Sequence, residues 1–164
     1  MIPIESTAEI LFWKYQNKSV DEKWKDWAYE MLKAGFNTEH LVELAGIEKP
    51  FNQFELQELT SKVFEELNLG YSDSDKTTRN YILFIVNQAL QGKREMIKTF
   101  RELTDAYLEN DHDRSFQGFA NLYWAMEDLK YGEVQWYWPG ADRGNINQVA
   151  ADYLKSWIDE TLKQ

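Results

Sequence analysis

Apolar side chains recur along this chain at intervals of three and four, the spacing that places them on one face of an α-helix. The pattern is cleanest at Val20, Trp24, Trp27, Ala28, Met31 and Leu32. Ser19 and Glu22 ahead of that stripe have the spacing of a capping box, and Gly35 just beyond it offers a left-handed close. A short helix follows, with Thr38 as its cap, Leu41, Val42, Leu44 and Ala45 as its apolar positions and Gly46 as its stop. Asn52 and Glu55 form a second capping pair ahead of Leu56, Leu59, Val63, Phe64 and Leu67, with Gly70 closing that helix.

The run Tyr81-Ile82-Leu83-Phe84-Ile85-Val86 is apolar on all sides, and its β-branched and aromatic content suits a strand. Length decides otherwise: no turn signal interrupts the chain from Asp75 to Leu90, so a mostly buried helix ending at Gly92 is expected. Met96, Ile97, Phe100, Leu103, Tyr107 and Leu108 predict another helix. Phe116, Phe119, Leu122, Tyr123, Met126 and Leu129 predict the next, ending near Gly132. Ile146, Val149, Ala150, Tyr153, Leu154, Trp157 and Ile158 predict the last. With an N-terminal helix over Thr7–Gln16, the chain reads as one all-α domain spanning 1–164. About eight amphipathic helices pack as antiparallel hairpins through short connections.

One stretch breaks the pattern. From Gly132 to Gly144, Pro139 and three glycines forbid a continuous helix, and Val134, Trp136 and Trp138 alternate as in a short extended segment. Trp136, Tyr137 and Trp138, with Arg143 nearby, suit either a lid over the open end of the core or a recognition surface.

Composition narrows the chemistry. The 164 residues include no cysteine, which removes disulfides, thiolate zinc sites and cysteine nucleophiles. No apolar run approaches the ~18 residues of a membrane span, and the N-terminus lacks a basic region followed by an apolar one. A cytoplasmic protein with no membrane partner is expected. The 28 acids and 18 bases give a net charge of −10, which disfavours nucleic-acid backbones and suits a basic protein partner. The excess is concentrated early. Residues 1–70 carry 13 acids and 7 bases, with Glu39, Glu43, Glu55 and Glu58 prominent. Such charge serves solubility in any case, and against a basic partner it also speeds association.

Catalytic constellations are incomplete. Glu109 and His112 make a Glu-x-x-His step with Asp105 one turn back, but helical di-iron sites need two such steps. Asn37 occupies the matching position ahead of His40, and Asp105 lies opposite the apolar stripe, so a solvated face with no metal and no cofactor is expected. His112-Asp113 matches the dipeptide of helical metal-dependent phosphohydrolases, with His40 and Asp128 as the remaining members. Nucleotide hydrolysis by such a set is the alternative to binding. Glu55/Glu58 and Glu102/Asp105 resemble magnesium-holding pairs of nucleotide pyrophosphohydrolases, although pairs arise readily in so acidic a chain. Gly140-Ala141-Asp142-Arg143-Gly144 precedes a helix but lacks the lysine and hydroxyl of a phosphate loop, and Asn145 or Asn147 suffices as an N-cap.

The segment Trp24-x-x-Trp27-Ala28-x-x-Met31-Leu32-x-x-Gly35-Phe36-x-Thr38-x-x-Leu41-x-x-Leu44-Ala45-Gly46, continued by Pro50-Phe51-Asn52-x-Phe54-Glu55, carries a resemblance. It is similar to small acidic all-helical bacterial proteins encoded beside polymorphic or contact-dependent toxins, and it covers about a third of the chain. That resemblance implies an immunity protein neutralising a basic toxin domain and brings no catalytic residue. The partner-binding candidates are Glu39, Glu43, Glu55, Glu58, Trp136, Tyr137, Trp138 and Arg143. The oligomeric state is left open.

Overall fold

The computed structural model describes residues 1–109 and 113–164. Among them are eight α-helices, one 3-10 turn and no strand: α1 (Thr7–Tyr15), α2 (Glu22–Lys33), α3 (Glu39–Ala45), α4 (Gln53–Glu66), α5 (Ser74–Leu90), α6 (Met96–Glu109), α7 (Gln117–Tyr131) and α8 (Ile146–Leu162). The 3-10 turn, Arg114–Phe116, leads into α7. The chain is therefore all-α. The apolar run at 81–86 lies inside α5, where Ile82, Ile85 and Val86 have no measurable exposure. No helix is long and apolar enough to cross a membrane. The structure resolves into two compact units, Met1–Phe84 and Ile85–Gln164.

In the first unit α1 packs on α2, α2 on α3 and α3 on α4. Trp24, Met31, Leu41, Leu44 and Val63 are fully buried there. Burial forces each polar atom of an amphipathic side chain to find a partner. Trp27 Nε1 donates to the buried Thr7 hydroxyl at 3.0 Å, which donates onward to Met31 Sδ at 3.7 Å. In the second unit α6 and α7 pack together, and Phe119 forms the hub. Its ring meets Phe100, Phe116, Tyr153 and Trp157 at centroid distances of 5.5 to 6.3 Å.

Helix ends depart from the sequence reading in several places. Asp21, not Ser19, caps α2, with its carboxylate accepting from Lys23 N. An N-cap must stand immediately before the first helical residue, and Ser19 lies too far upstream. Thr38 holds the cap position of α3 without a side-chain cap bond. Asn52 behaves as expected, accepting from Phe54 N and Glu55 N. Gly35 and Gly92 close their helices at positive φ. However, α4 closes at Asn68 (φ 53°), two residues before Gly70, and Asn17 does the same for α1. At each, the following amide reaches back five residues: Lys18 N to Trp13 O, and Leu69 N to Phe64 O. Asparagine tolerates the left-handed region well enough to take the place of glycine.

Candidate functional site

Two exposed surfaces, one in each unit, hold the predicted partner-binding residues. In the first unit Glu39 and Glu43 lie one turn apart on α3, both exposed, with half-exposed Val42 beside them. Glu55 and Glu58 are exposed on α4. These four glutamates do not form one cluster. His40 beside Glu39 is clasped to Glu66 at the far end of α4, through Nδ1 to Oε1 at 2.5 Å and its backbone N–H to Oε2 at 3.2 Å. The eight residues from Glu58 to Glu66 put roughly 12 Å of helix between the two pairs. Glu58 also meets Lys62 at 3.4 Å, whereas Glu39, Glu43 and Glu55 have no ion pair among the described residues. The Thr38 hydroxyl, close by without a well-formed hydrogen bond, and then the His40 ring hold the Glu66 carboxyl below the usual carboxylate range.

Sequence reading missed the largest apolar feature of this surface. Phe54 is 82% exposed beside Glu55 and one turn before Glu58. Its helical phase contained the signal: two positions before Leu56 places it about 200° from the stripe Leu56, Leu59 and Val63. An open groove of about 740 Å³ runs beside it, lined by Lys14, Gln53, Gln57, Glu58 and Tyr71 among others. The Lys14 ammonium is buried and donates to Gln57 O (2.8 Å), Gln57 Oε1 (3.0 Å) and Thr60 Oγ1 (2.9 Å). All three of its donors are used. Burial pushes its pKa below the ordinary lysine value.

In the second unit the aromatic loop forms no strand. A single side chain, Gln135, organises it. Its Oε1 accepts from Tyr137 N (2.9 Å) and Trp138 N (2.8 Å), and its Nε2 donates to Trp138 O (2.5 Å) and Ala141 O (3.0 Å). An amide that satisfies four backbone groups replaces the ladder a strand would need. The three aromatics then divide. Trp138 packs edge-on against Tyr153 at 5.2 Å, Tyr137 is 45% exposed and tilts over Trp124 at 5.5 Å, and Trp136 is 89% exposed. Trp138 therefore serves as part of the lid while Trp136 faces water. Arg143 Nε donates to Leu129 O at 2.8 Å. Ahead of α8, Asp142 Oδ1 receives Gly144 N and Asn145 N, and Asn145 itself makes no cap bond to the helix.

Other candidate constellations are dispersed or engaged. Glu102 pairs with Arg94 at 2.6 Å, and Asp113 accepts from Ser115 N and Oγ. His112, and with it the Glu109–His112 step and the His112-Asp113 dipeptide, lies outside the described residues. Among the described residues no three histidine, aspartate or glutamate side chains converge as metal ligands do. No family model matches the chain, and neither curated proteins nor solved structures include a significant match to it.

Proposed function

We propose that the protein is a non-enzymatic binding module that masks a basic protein partner, in the manner of an immunity protein neutralising a basic toxin domain. Trp136 carries the reading. An indole gains favourable free energy by leaving water, and a mobile loop would fold it back onto the surface. Gln135 instead ties itself to the backbone that follows Trp136, so much of the entropy of ordering that loop is already spent before any partner arrives. A preorganised, solvent-facing tryptophan is the usual anchor of a binding hot spot, and its ring face accepts lysine or arginine by cation–π attraction. Net charges of −6 over residues 1–84 and −4 over 85–164 favour the same class of partner.

The test compares wild-type protein with Trp136→Ser and with the quadruple charge reversal of Glu39, Glu43, Glu55 and Glu58 to lysine. Each is used to capture partners from native lysate at low and high salt, followed by mass spectrometry. One basic protein, released by salt and lost with Trp136→Ser, is the expected result. The quadruple variant should associate with that purified partner about tenfold or more slowly at low salt. Capture that is indifferent to both variants would remove these surfaces from the reading.

A further inference from the structure

The second unit contains a hollow of about 180 Å³ that shares only Arg143 with the partner-binding candidates. Ile97 of α6, Met126 and Leu129 of α7 and Ile146 of α8 form its apolar wall, and Lys130 and Arg143 line it as cations. Neither cation makes a direct ion pair among the described residues. Arg143 spends its Nε–H on Leu129 O, which anchors the guanidinium beside the hollow and leaves its terminal nitrogens without an ion pair among the described residues. Lys130 lies over the Tyr131 ring at 5.3 Å and is near enough to Glu95 to help hold that carboxyl below its ordinary pKa, after the direct hydrogen bond and charge of Lys98. The neighbouring acids are already occupied. Glu95 pairs with Lys98 at 2.8 Å, and Asp142 is taken up by the Gly144 and Asn145 amides.

Size and charge define the occupant. At ~30 Å³ per water the hollow holds about six waters, well below the 300 Å³ and more of a typical cofactor pocket. A nucleotide does not fit, and a bare inorganic anion would leave the apolar wall wet. The geometry points to a binding site for a carboxylate carrying one branched aliphatic group of leucine size, with the alkyl part against Ile97, Met126, Leu129 and Ile146 and the carboxylate on Arg143 and Lys130. The last residue of a polypeptide and a small free acid share that chemistry. An arginine held by one N–H presents its remaining fork in the orientation a carboxylate accepts.

The experiment titrates the full chain, methyl-labelled, with N-acetyl-leucine, 4-methylpentanoate and N-acetyl-leucinamide, following the Ile97 and Met126 methyl resonances. Both acids are expected to shift those methyls with saturation, and the amide is expected to bind at least tenfold more weakly. Tighter binding of N-acetyl-leucine than of 4-methylpentanoate assigns the site to a chain terminus, and the reverse assigns it to a free acid. Arg143→Gln keeps an amide donor for Leu129 O and should weaken the acids about tenfold, the scale of a lost charge-assisted contact. Lys130→Gln, at an exposed position that leaves the fold alone, should weaken them to a smaller degree. Equal binding of acid and amide, shifts confined to other methyls, no saturation at millimolar acid, or indifference to Arg143→Gln would each overturn the assignment.

Discussion

Gly118→Ala should destabilise the protein by about 2–3 kcal/mol, although alanine is the better helix former by ~1 kcal/mol. Gly118 is the second residue of α7, and its φ is ordinary, so backbone freedom is not the reason for glycine. The reason is space. A Cβ at this position would lie 2.0 Å from the Tyr153 hydroxyl oxygen and 2.4 Å from the ring carbon that bears it. The tyrosine ring is stiff and cannot yield at its tip alone. It must leave its place against Phe119 and Trp138, forfeiting two edge-on aromatic contacts of ~0.5–1.5 kcal/mol each along with buried area. Two readouts separate this from simple overpacking. Burial first, and then the charge of Glu160, hold the Tyr153 phenol above its ordinary pKa. Displacement toward water should therefore bring its ionisation down in a spectrophotometric titration. In a Tyr153→Ala background the same Gly118→Ala change should become stabilising, a sign reversal that a double-mutant cycle measures directly. A variant that is destabilised equally in both backgrounds would place the clash elsewhere.

Lys14→Met should lower stability by about 1–3 kcal/mol at neutral pH. Methionine matches the stem in volume, so little cavity forms. What it removes is the donor to Gln57 Oε1, which then stands in a partly buried site without a partner, and one of the donors to Gln57 O and Thr60 Oγ1, which keep their hydrogen bond to each other. The effect carries a pH signature whose sign follows from linkage. Because burial lowers the Lys14 pKa in the folded chain, the unfolded chain binds more protons between the folded and unfolded values. Wild-type stability therefore gains from this group as pH rises toward the ordinary lysine value of 10.5, and loses that gain as pH falls through the folded value. The stability gap between wild type and Lys14→Met should widen between neutral and alkaline pH in urea titrations. A gap that narrows would mean that the ammonium is better accommodated in the folded state than in water.

The elements of the fold were legible because period and length carry them. The segment at 81–86 is ambiguous by composition alone, and the uninterrupted polar flanks on either side settled it as helix. Helix ends were less legible, since a residue one or two positions away can supply the same cap hydrogen bond or the same left-handed turn. Asp21 supplanted Ser19 and Asn68 supplanted Gly70 on that basis. Among the candidate contact residues, Trp136 and Trp138 were indistinguishable by sequence. Their fates diverge through Gln135, a polar loop residue with no periodicity to mark it. Phe54 was readable from its phase on α4, and Lys14 was not, because a lysine on an amphipathic helix is ordinarily solvated. For the four glutamates, sequence gives their sign but not the length of α4 that separates them.

The contrasting tryptophan environments give the molecule built-in optical probes. Trp24 and Trp27 are sealed inside the first unit, whereas Trp136 in the second stands in water. Sealed indoles emit at shorter wavelength and are shielded from a dissolved quencher, while an indole in water emits further to the red and is quenched on contact. Acrylamide would thus quench Trp136 first and the partly exposed Trp13, Trp124, Trp138 and Trp157 less, leaving the emission that resists quenching to report the buried pair of the first unit. Recovery of the quenched fraction on adding a ligand would report coverage of the aromatic loop, with no dye or tag attached.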